Sequence, residues 1–337
     1  MPTCENVFSN VYVELLQQLH EFKELLFTRI EREVWGQHKV LEEILVALLT
    51  NSHILLTGVP GLGKSQIARL IAGLTSLKYN HLQLTSDLTP EDLHAGGIIL
   101  GGEGENKESF SSEDVFWGEN VLFVNDVNRT PPKKQVALLN IIRNRALAFG
   151  RQKCELKNPF FVIATQNPMY ETCYPLSESQ LDFFLFSSKM EYPKASDEVE
   201  MTLRATCEVE DDCTPLITRE KLLEYQGLVR HINISREIAE LAVKVVRKTR
   251  PQSKIATSIT QQYVDWGGSL RASQALILGG KAFAALAGRA SVSFDDIDRS
   301  AVPTLRSRVV LKNWAQSEGI NVDVLVRSVI QEVRDEF

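Results

Sequence analysis

A glycine-rich segment at residues 58–65 has the residue types and spacing needed to bind a triphosphate. It matches the pattern G-x-x-x-x-G-K-[ST] and consists of Gly58, Val59, Pro60, Gly61, Leu62, Gly63, Lys64 and Ser65. Glycine lets backbone amides turn toward a phosphate, and a helix that starts there adds positive potential. Lys64 would reach the β- and γ-phosphates, and the Ser65 hydroxyl would bind Mg²⁺. With Ile67 of the next helix, the segment is predicted to bind ATP and Mg²⁺.

The residues around this segment predict the elements that position it. The apolar run at 54–56 reads as a buried strand, and Ile67, Leu70, Ile71 and Leu74 have the spacing of one helix face. Further buried strands are predicted at 121–124 and 160–164, with a helix around 136–142 between them. Two helices, at 11–30 and near 38–50, precede the first strand. This alternation predicts an α/β fold with a mainly parallel sheet.

Two polar, glycine-containing stretches interrupt the alternation, at 96–112 and at 146–158. The second has Phe149, Gly150 and Arg151 as a hairpin turn, and both read as inserted hairpins or loops. After about residue 190 the pattern becomes helical, with Ser235 as a helix N-cap. We therefore predict a nucleotide-binding core at 1–192, a linker at 193–215 and a small all-helical lid domain at 216–337.

Composition argues against several classes of function. The net charge of −6 argues against a large sequence-independent nucleic-acid surface. No apolar run approaches the 18 or so residues of a membrane helix, and no secretory leader is visible, so a soluble, cytoplasmic protein is expected. The five cysteines have neither zinc-site nor disulfide spacing, and none of the six histidines has metal-ligand spacing.

Several separated segments together resemble the MoxR-type AAA+ ATPases over nearly the whole chain. One segment, with Val34, Gly36 and Gln37, is similar to the family's entry to the adenine pocket. The others are residues 83–92, 128–133, 164–168, 174–182 and 267–272. The resemblance implies an AAA+ core, a helical lid and a ring, usually a hexamer. It also implies a chaperone-like role in assembling or remodelling another complex, with a von Willebrand factor A domain protein as the usual partner.

The resemblance assigns roles to further residues. Asn167 takes the position of the polar residue called sensor 1, and Arg271 lies in the segment similar to sensor 2. The family ends its third buried strand with Asp-Glu, where the Asp holds the Mg²⁺ water shell and the Glu polarises the attacking water. Here the two positions are Asn125 and Asp126. Both are predicted near the metal, with Asp126 as the catalytic carboxylate. A metal-side role for Asp126 would need a bulge or local twist, because adjacent strand residues face opposite ways.

A second departure concerns the arginine finger, which in the family reaches the γ-phosphate of the neighbouring subunit. Phe183 occupies that position here. Such an arginine is worth roughly 10³ to 10⁵ in rate, so its absence weighs as heavily as the altered strand end. Four nearby residues are open as substitutes: Arg129, Arg143, Arg145 and Arg151.

Three functions stay open at this stage. The first is a MoxR-like ATPase that remodels a partner, in a homo-oligomeric or mixed ring. The second is an ATP-binding switch or scaffold that scarcely hydrolyses, since ATP binding alone selects one of two states when their affinities differ. The third is a chelatase-like or nucleic-acid motor subunit, which the acidic balance disfavours.

Overall fold

The computed structural model describes residues 10–83, 120–149, 152–167, 173–205 and 214–337. Contacts between residues divide the chain into two compact units. We call Leu26–Arg219 the core unit, and Met1–Leu25 together with Glu220–Phe337 the helical unit.

The core unit is built on a five-stranded sheet with helices between the strands. In chain order, its elements are the end of α1 (Asn10–Ile30), α2 (His38–Leu49), β1 (Ile54–Thr57), α3 (Lys64–Leu74), β2 (Tyr79–Gln83), β3 (Val121–Asn125), a 3-10 turn (Val127–Arg129), α4 (Pro132–Asn144), β4 (Ala146–Phe149), β5 (Gln152–Glu155), β6 (Phe161–Gln166), α5 (Glu178–Leu181), β7 (Phe186–Lys189) and α6 (Ala195–Ala205).

The sheet has the strand order β2-β3-β6-β1-β7, and every pair in it is parallel. The central strands β1, β3 and β6 consist almost entirely of buried apolar residues, as expected for strands covered on both faces. Ile54 pairs with Ile163, and Leu122 pairs with Val162. Because parallel strands end at one edge, the loops that follow β1, β3 and β6 meet there. The predicted α/β fold with a parallel sheet is confirmed.

The helical unit carries the carboxy-terminal part of the chain. Its elements after α1 are α7 (Arg219–His231), α8 (Arg236–Lys248), α9 (Ser258–Tyr263), β8 (Val264–Trp266), α10 (Leu270–Leu286), α11 (Phe294–Leu305), β9 (Val310–Leu311), α12 (Asn313–Ser317) and α13 (Val322–Asp335). Ser235 caps α8 as predicted, since its hydroxyl accepts the Ile238 N–H at 3.2 Å. The unit is not purely helical, because β8 and β9 form a short antiparallel pair.

The grouping at the start of the chain differs from the predicted boundaries. The sequence placed 1–192 in the core, but residues up to Leu25 belong to the helical unit. There His20 Nδ1 lies 2.9 Å from the Leu286 carbonyl, and the Phe22 ring packs 5.9 Å from the Tyr225 ring. Helical periodicity identifies an apolar face but not the residues that cover it. The sequence therefore could not show to which unit this helix belongs.

One further prediction needs correction, and several others concern residues that the structure does not describe. The predicted linker at 193–215 contains α6, a regular helix with Asp197 and Glu198 in its first turn. Outside the described residues lie the insert at 96–112, most of the segment at 83–92, Pro168, Arg151 and the acidic run at 208–212.

Within the described ranges, no helix combines the length and apolar character needed to cross a membrane. The cytoplasmic location stays a prediction.

Candidate functional site

The loop at 58–63 has the predicted strand before it and the predicted helix after it. Strand β1 ends at Thr57, and α3 begins at Lys64 with Gly63 as its N-cap. Gly61 and Gly63 have φ angles of +87° and +78°, a region that residues with a Cβ adopt only at a cost. At Gly58 a Cβ would lie 3.0 Å from the Met190 carbonyl oxygen. The glycines are therefore needed for both the turn and the close packing of the loop.

Lys64 is held inside this loop. The residue is only 9% exposed, and Nζ donates hydrogen bonds of 2.7 Å to the carbonyls of Gly58 and Val59. Burial lowers the pKa of the Lys64 ammonium, and the Asp126 carboxylate opposes that shift. A buried cation whose main partners are neutral carbonyls is suited to an anionic ligand.

The rest of the loop separates into packed and exposed positions. Leu62 and Ile67 are buried in the core unit, and the Gly63 carbonyl accepts the Ile67 N–H at 2.9 Å. Pro60, Gly61 and Ser65 are exposed. Ile67 therefore stabilises the first turn of α3, while Ser65 is exposed beside Lys64.

The turn at 34–37 packs against the same loop. Val34 is buried, and its Cγ1 atom lies 3.4 Å from the point that a Cβ on Gly63 would occupy. Gly36 has φ +72°, and a Cβ there would lie 3.0 Å from Pro193 Cβ. The Gln37 amide donates to the Glu191 carbonyl at 2.8 Å. These contacts fix the turn in place, and they give Gln37 a positioning role in holding the turn to the chain that follows β7.

The end of β3 has a feature that the sequence did not predict. Asp126 has φ +48° and ψ +53°, so the chain leaves the extended conformation immediately after Asn125. This is the local twist that a metal-side role for Asp126 would need. The Asp126 N–H donates to the Thr165 hydroxyl at 2.9 Å, and that hydroxyl donates to Asn125 Oδ1 at 3.0 Å. The twist therefore orients Asp126 differently from a regular strand residue, and Thr165 stabilises it.

Thr165 is the site residue that the sequence reasoning missed. It is fully buried near the end of β6, where Val124 pairs with Ala164. One more step of this parallel register brings Thr165 beside Asn125. A polar residue at the end of a buried strand, next to two other polar residues, was the available signal.

Asn167 follows β6 and is buried. Its backbone N–H donates to Asn128 Oδ1 at 3.2 Å, and its carbonyl accepts from Asn128 Nδ2 at 2.7 Å. Asn128 in turn lies in the 3-10 turn that starts after Asp126. The ends of β3 and β6 are thus joined by four hydrogen bonds, two at Thr165 and two at Asn128.

Arg271 belongs to the helical unit. It is exposed in the first turn of α10, directly after a segment with two glycines. A Cβ on Gly267 would lie 2.2 Å from the Thr249 carbonyl oxygen. Arg250 Nε donates to the Gly268 carbonyl at 2.7 Å. The backbone that leads to Arg271 is therefore firmly held.

The substitute arginines differ in what they contact. Arg145 donates to Asn51, at 2.9 Å to the side-chain oxygen and 2.5 Å to the carbonyl, so it holds the start of β1. The Arg143 guanidinium lies over the Phe183 ring, 5.8 Å from its centroid. Arg129 is exposed in the 3-10 turn, and it interacts with another group of the same chain. Arg151 lies outside the described residues.

Comparison with known families supports the same reading of the chain. Residues 53–186 match the ATPase family associated with various cellular activities (AAA). Residues 256–329 match an AAA lid domain. The first range lies within the core unit and the second within the helical unit.

Individual relatives cover almost the whole chain. Uncharacterized protein YeaC of Bacillus subtilis is 32% identical over 94% of this chain and 96% of its own length. Chaperone MoxR1 of Mycobacterium tuberculosis is 30% identical, over 95% of this chain and 83% of its own. A crystal structure from Cytophaga hutchinsonii, of a protein whose assignment as an ATPase is provisional, has a TM-score of 0.84 at 26% identity. It covers 94% of this chain and 96% of that one.

Proposed function

This chain belongs to the MoxR-type AAA+ ATPases, and from that membership we propose that it binds ATP on the loop at 58–65 and uses the nucleotide to remodel or assemble a partner complex. The observation that carries the proposal is the buried Lys64 ammonium, bound to two loop carbonyls beside the twisted Asp126. The phosphates of ATP would replace those carbonyls as partners of Lys64, at little cost in rearrangement.

The residues at the strand ends fit a magnesium ion. Mg²⁺ prefers oxygen ligands and keeps several waters, so it needs few protein groups beyond the substrate phosphates. The Ser65 hydroxyl, the Asn125 amide oxygen and the Asp126 carboxylate supply such oxygens. The described residues contain no cluster of three or more His, Cys, Asp or Glu side chains that would hold a metal alone. When bound, the ion would neutralise charge on the phosphates.

Lys64 and Asp126 have separate roles in the proposed hydrolysis. Lys64 would bind the β- and γ-phosphates and offset their charge. The second carboxylate that the family uses to orient water is Asp126 here, on a stem one methylene shorter than Glu. A misplacement of about 1 Å costs roughly 100-fold in rate. Turnover is therefore expected to be slow, although the loop for binding ATP is complete.

A second function is favoured by the same strand end. Asn125 adds no charge to the site, and its Oδ1 already accepts the Thr165 hydroxyl. Asp126 would then have to serve both the metal and the attacking water, and one group serves two roles poorly. A chain of this kind would bind ATP, select one conformation and hydrolyse little. It would act as a nucleotide-dependent switch or scaffold.

The assembly and the partner are part of the proposal. A hexameric or mixed ring, and a partner with a von Willebrand factor A domain, come from the family resemblance. The relative from Mycobacterium tuberculosis is named a chaperone, which supports a role on another protein. A chelatase-like role or a role on nucleic acid has less support, because the net charge is −6.

Binding of a fluorescent ATP analogue, with and without Mg²⁺, tests the proposed site. The wild-type chain should bind it, and Lys64→Ala should weaken binding at least tenfold. Lys39→Ala is the matched control, because Lys39 is a largely exposed lysine of the same unit, paired with Glu43 at 3.9 Å. Equal affinity of all three proteins would place the nucleotide elsewhere and refute the proposal.

A further inference from the structure

A basic stretch lies in the helical unit, although the whole chain has a net charge of −6. Between Glu240 and Asp265 the sequence contains no acidic residue, and its basic residues there are Lys244, Arg247, Lys248, Arg250 and Lys254. A local excess of one charge attracts groups of the opposite charge. This part of the surface is therefore suited to an acidic partner.

The cations of this stretch differ in how far the chain neutralises them. Lys244 and Lys248 both bind Glu336, which follows α13, with N–O distances of 2.5 Å and 2.7 Å. Arg247 lies in the last turn of α8 and is exposed. Among the described residues, none forms an ion pair or a hydrogen bond with its side chain. Arg247 therefore keeps its charge and its planar set of donors for a group from outside the chain.

A groove of about 520 Å³ lies along the outward face of α8. Its lining includes Arg236, Ala239, Val243, Lys244 and Arg247, whose spacings of three and four residues place them on one face of the helix, and Ile255 from the loop that follows. Val243 is 39% exposed, an unusual position for a large apolar side chain. The groove thus combines apolar side chains with an arginine toward each end of the helix.

The loop that forms the other wall of the groove is held by its own hydrogen bonds. The Ser253 N–H donates to the Arg250 carbonyl at 2.9 Å, and the Ala256 N–H donates to the Ser253 carbonyl at 3.0 Å. The Thr257 hydroxyl then caps α9 by accepting the Thr260 N–H at 3.1 Å. Ile255 lies inside this turn. Because the wall is already ordered, a ligand would pay mainly for its own ordering.

The two arginines set the length of the ligand that fits. Arg236 and Arg247 are separated by about 16 Å along α8, at 1.5 Å per residue. Arg236 pairs with Glu240 at 2.8 Å, but the two side chains are 90% and 64% exposed. An exposed pair of this kind contributes little to stability, so another carboxylate can replace Glu240. Ala239 and Val243 lie between the arginines.

We propose that this groove binds an acidic peptide segment of a partner protein, with the pattern acidic-x-aliphatic-x-acidic. An extended peptide advances about 3.3 Å per residue and points alternate side chains the same way, so the three specified side chains face α8 across about 13 Å. The carboxylates bind Arg236 and Arg247, and the aliphatic side chain packs on Val243 and Ile255. A nucleic-acid backbone would leave these apolar groups uncovered. The inference adds a recognition surface to the proposed function and does not require ATP.

A fluorescein-labelled peptide, Glu-Ser-Leu-Ser-Glu, tests the groove by fluorescence anisotropy with the whole chain at low salt. Arg247→Glu should weaken binding at least tenfold, and Val243→Ser at least threefold. Arg327→Glu is the matched control, because Arg327 is an exposed arginine of α13 outside the groove, and it should change affinity less than twofold. Thermal unfolding verifies that all variants fold.

A second peptide separates docking from general attraction of charge. Glu-Leu-Ser-Ser-Glu has the same composition, but its leucine points away from the face that carries both carboxylates. It should bind at least fivefold more weakly. Methyl NMR should show the Val243 and Ile255 signals shifting with the first peptide.

Three results would overturn the inference. One is equal affinity for the two peptides, and another is equal affinity of the wild-type chain and Arg247→Glu for the first peptide. The third is tighter binding of a single-stranded DNA oligonucleotide at the same methyl groups, which would assign the groove to a polyanion. Each leaves binding of the ATP analogue unchanged, so this inference and the proposed function fail separately.

Discussion

Replacing Thr165 by Val removes one buried hydroxyl and keeps the shape of the side chain. That hydroxyl accepts the Asp126 N–H at 2.9 Å and donates to Asn125 Oδ1 at 3.0 Å. Leaving a buried or partly buried donor unsatisfied costs about 1–3 kcal/mol. The left-handed conformation at Asp126 costs about 1–3 kcal/mol more and persists only when its surroundings enforce it. The variant should therefore relax the turn and displace the Asp126 carboxylate.

The assay has a structural and a functional half. Thermal unfolding should show a Tm lower by about 2–4 °C for each kcal/mol lost. ATP turnover should fall by roughly 100-fold for a displacement of about 1 Å. Affinity for ATP should change by less than about threefold, because Lys64 is held by loop carbonyls and not by Thr165. Thr165→Ser, which keeps the hydroxyl, is the matched control. Wild-type turnover in Thr165→Val would refute the role assigned to the twisted turn.

Three further predictions concern separate parts of the core. Asn125→Asp combined with Phe183→Arg should raise turnover at saturating Mg-ATP more than tenfold, and an unchanged rate would count against a hydrolysis-impaired site. Gly63→Ala should weaken ATP binding about tenfold and cost about 1–2 kcal/mol, because φ there is +78°; the helical Gly227, which has open space around it, should tolerate Ala. His53 is buried, accepts the Val162 N–H at 3.2 Å, and has a pKa lowered from 6.5 to about 3 by burial and by Arg145. Because its folded-state pKa is depressed, the unfolded chain alone takes up the proton below pH 6.5, so stability is lost as pH falls from 6.5 toward 3, by about 2 kcal/mol at pH 5. Urea unfolding of His53→Asn should lack this component, and an identical pH dependence in both proteins would contradict it.

The phosphate loop could be predicted because its signal is local. An apolar run, a glycine pattern and a 3.6-residue period lie side by side, and the structure has β1, the turn and α3 in that order. The sheet could be predicted for the same reason, from buried runs such as those of β3 and β6. The two-residue strand β9 is too short for any periodicity, and β8 pairs with it from 44 residues away in the chain.

The geometry of the candidate site could not be predicted, because it depends on contacts between residues whose arrangement in space the sequence does not show. The alternation of strand side chains predicted that Asn125 and Asp126 face opposite ways, but the left-handed conformation at Asp126 ends the strand between them. Arg143 and Arg145 are equivalent by sequence distance from the predicted site. Only the tertiary contacts distinguish them, because Arg145 donates a hydrogen bond to Asn51, whereas the Arg143 guanidinium lies over the Phe183 ring. The place of α1 depended in the same way on the surface that covers its apolar face.

Mg²⁺-dependent ATP turnover, measured against protein concentration with Lys64→Ala as the blank, tests the central claim most directly. The account predicts slow turnover that rises per protomer as concentration rises, and that vanishes in the blank, because the subunits of the proposed ring share the site. Turnover at the blank level, from a chain that still binds ATP, would contradict hydrolysis and leave the nucleotide-dependent switch. Turnover that persists in Lys64→Ala would contradict the assignment of the loop itself.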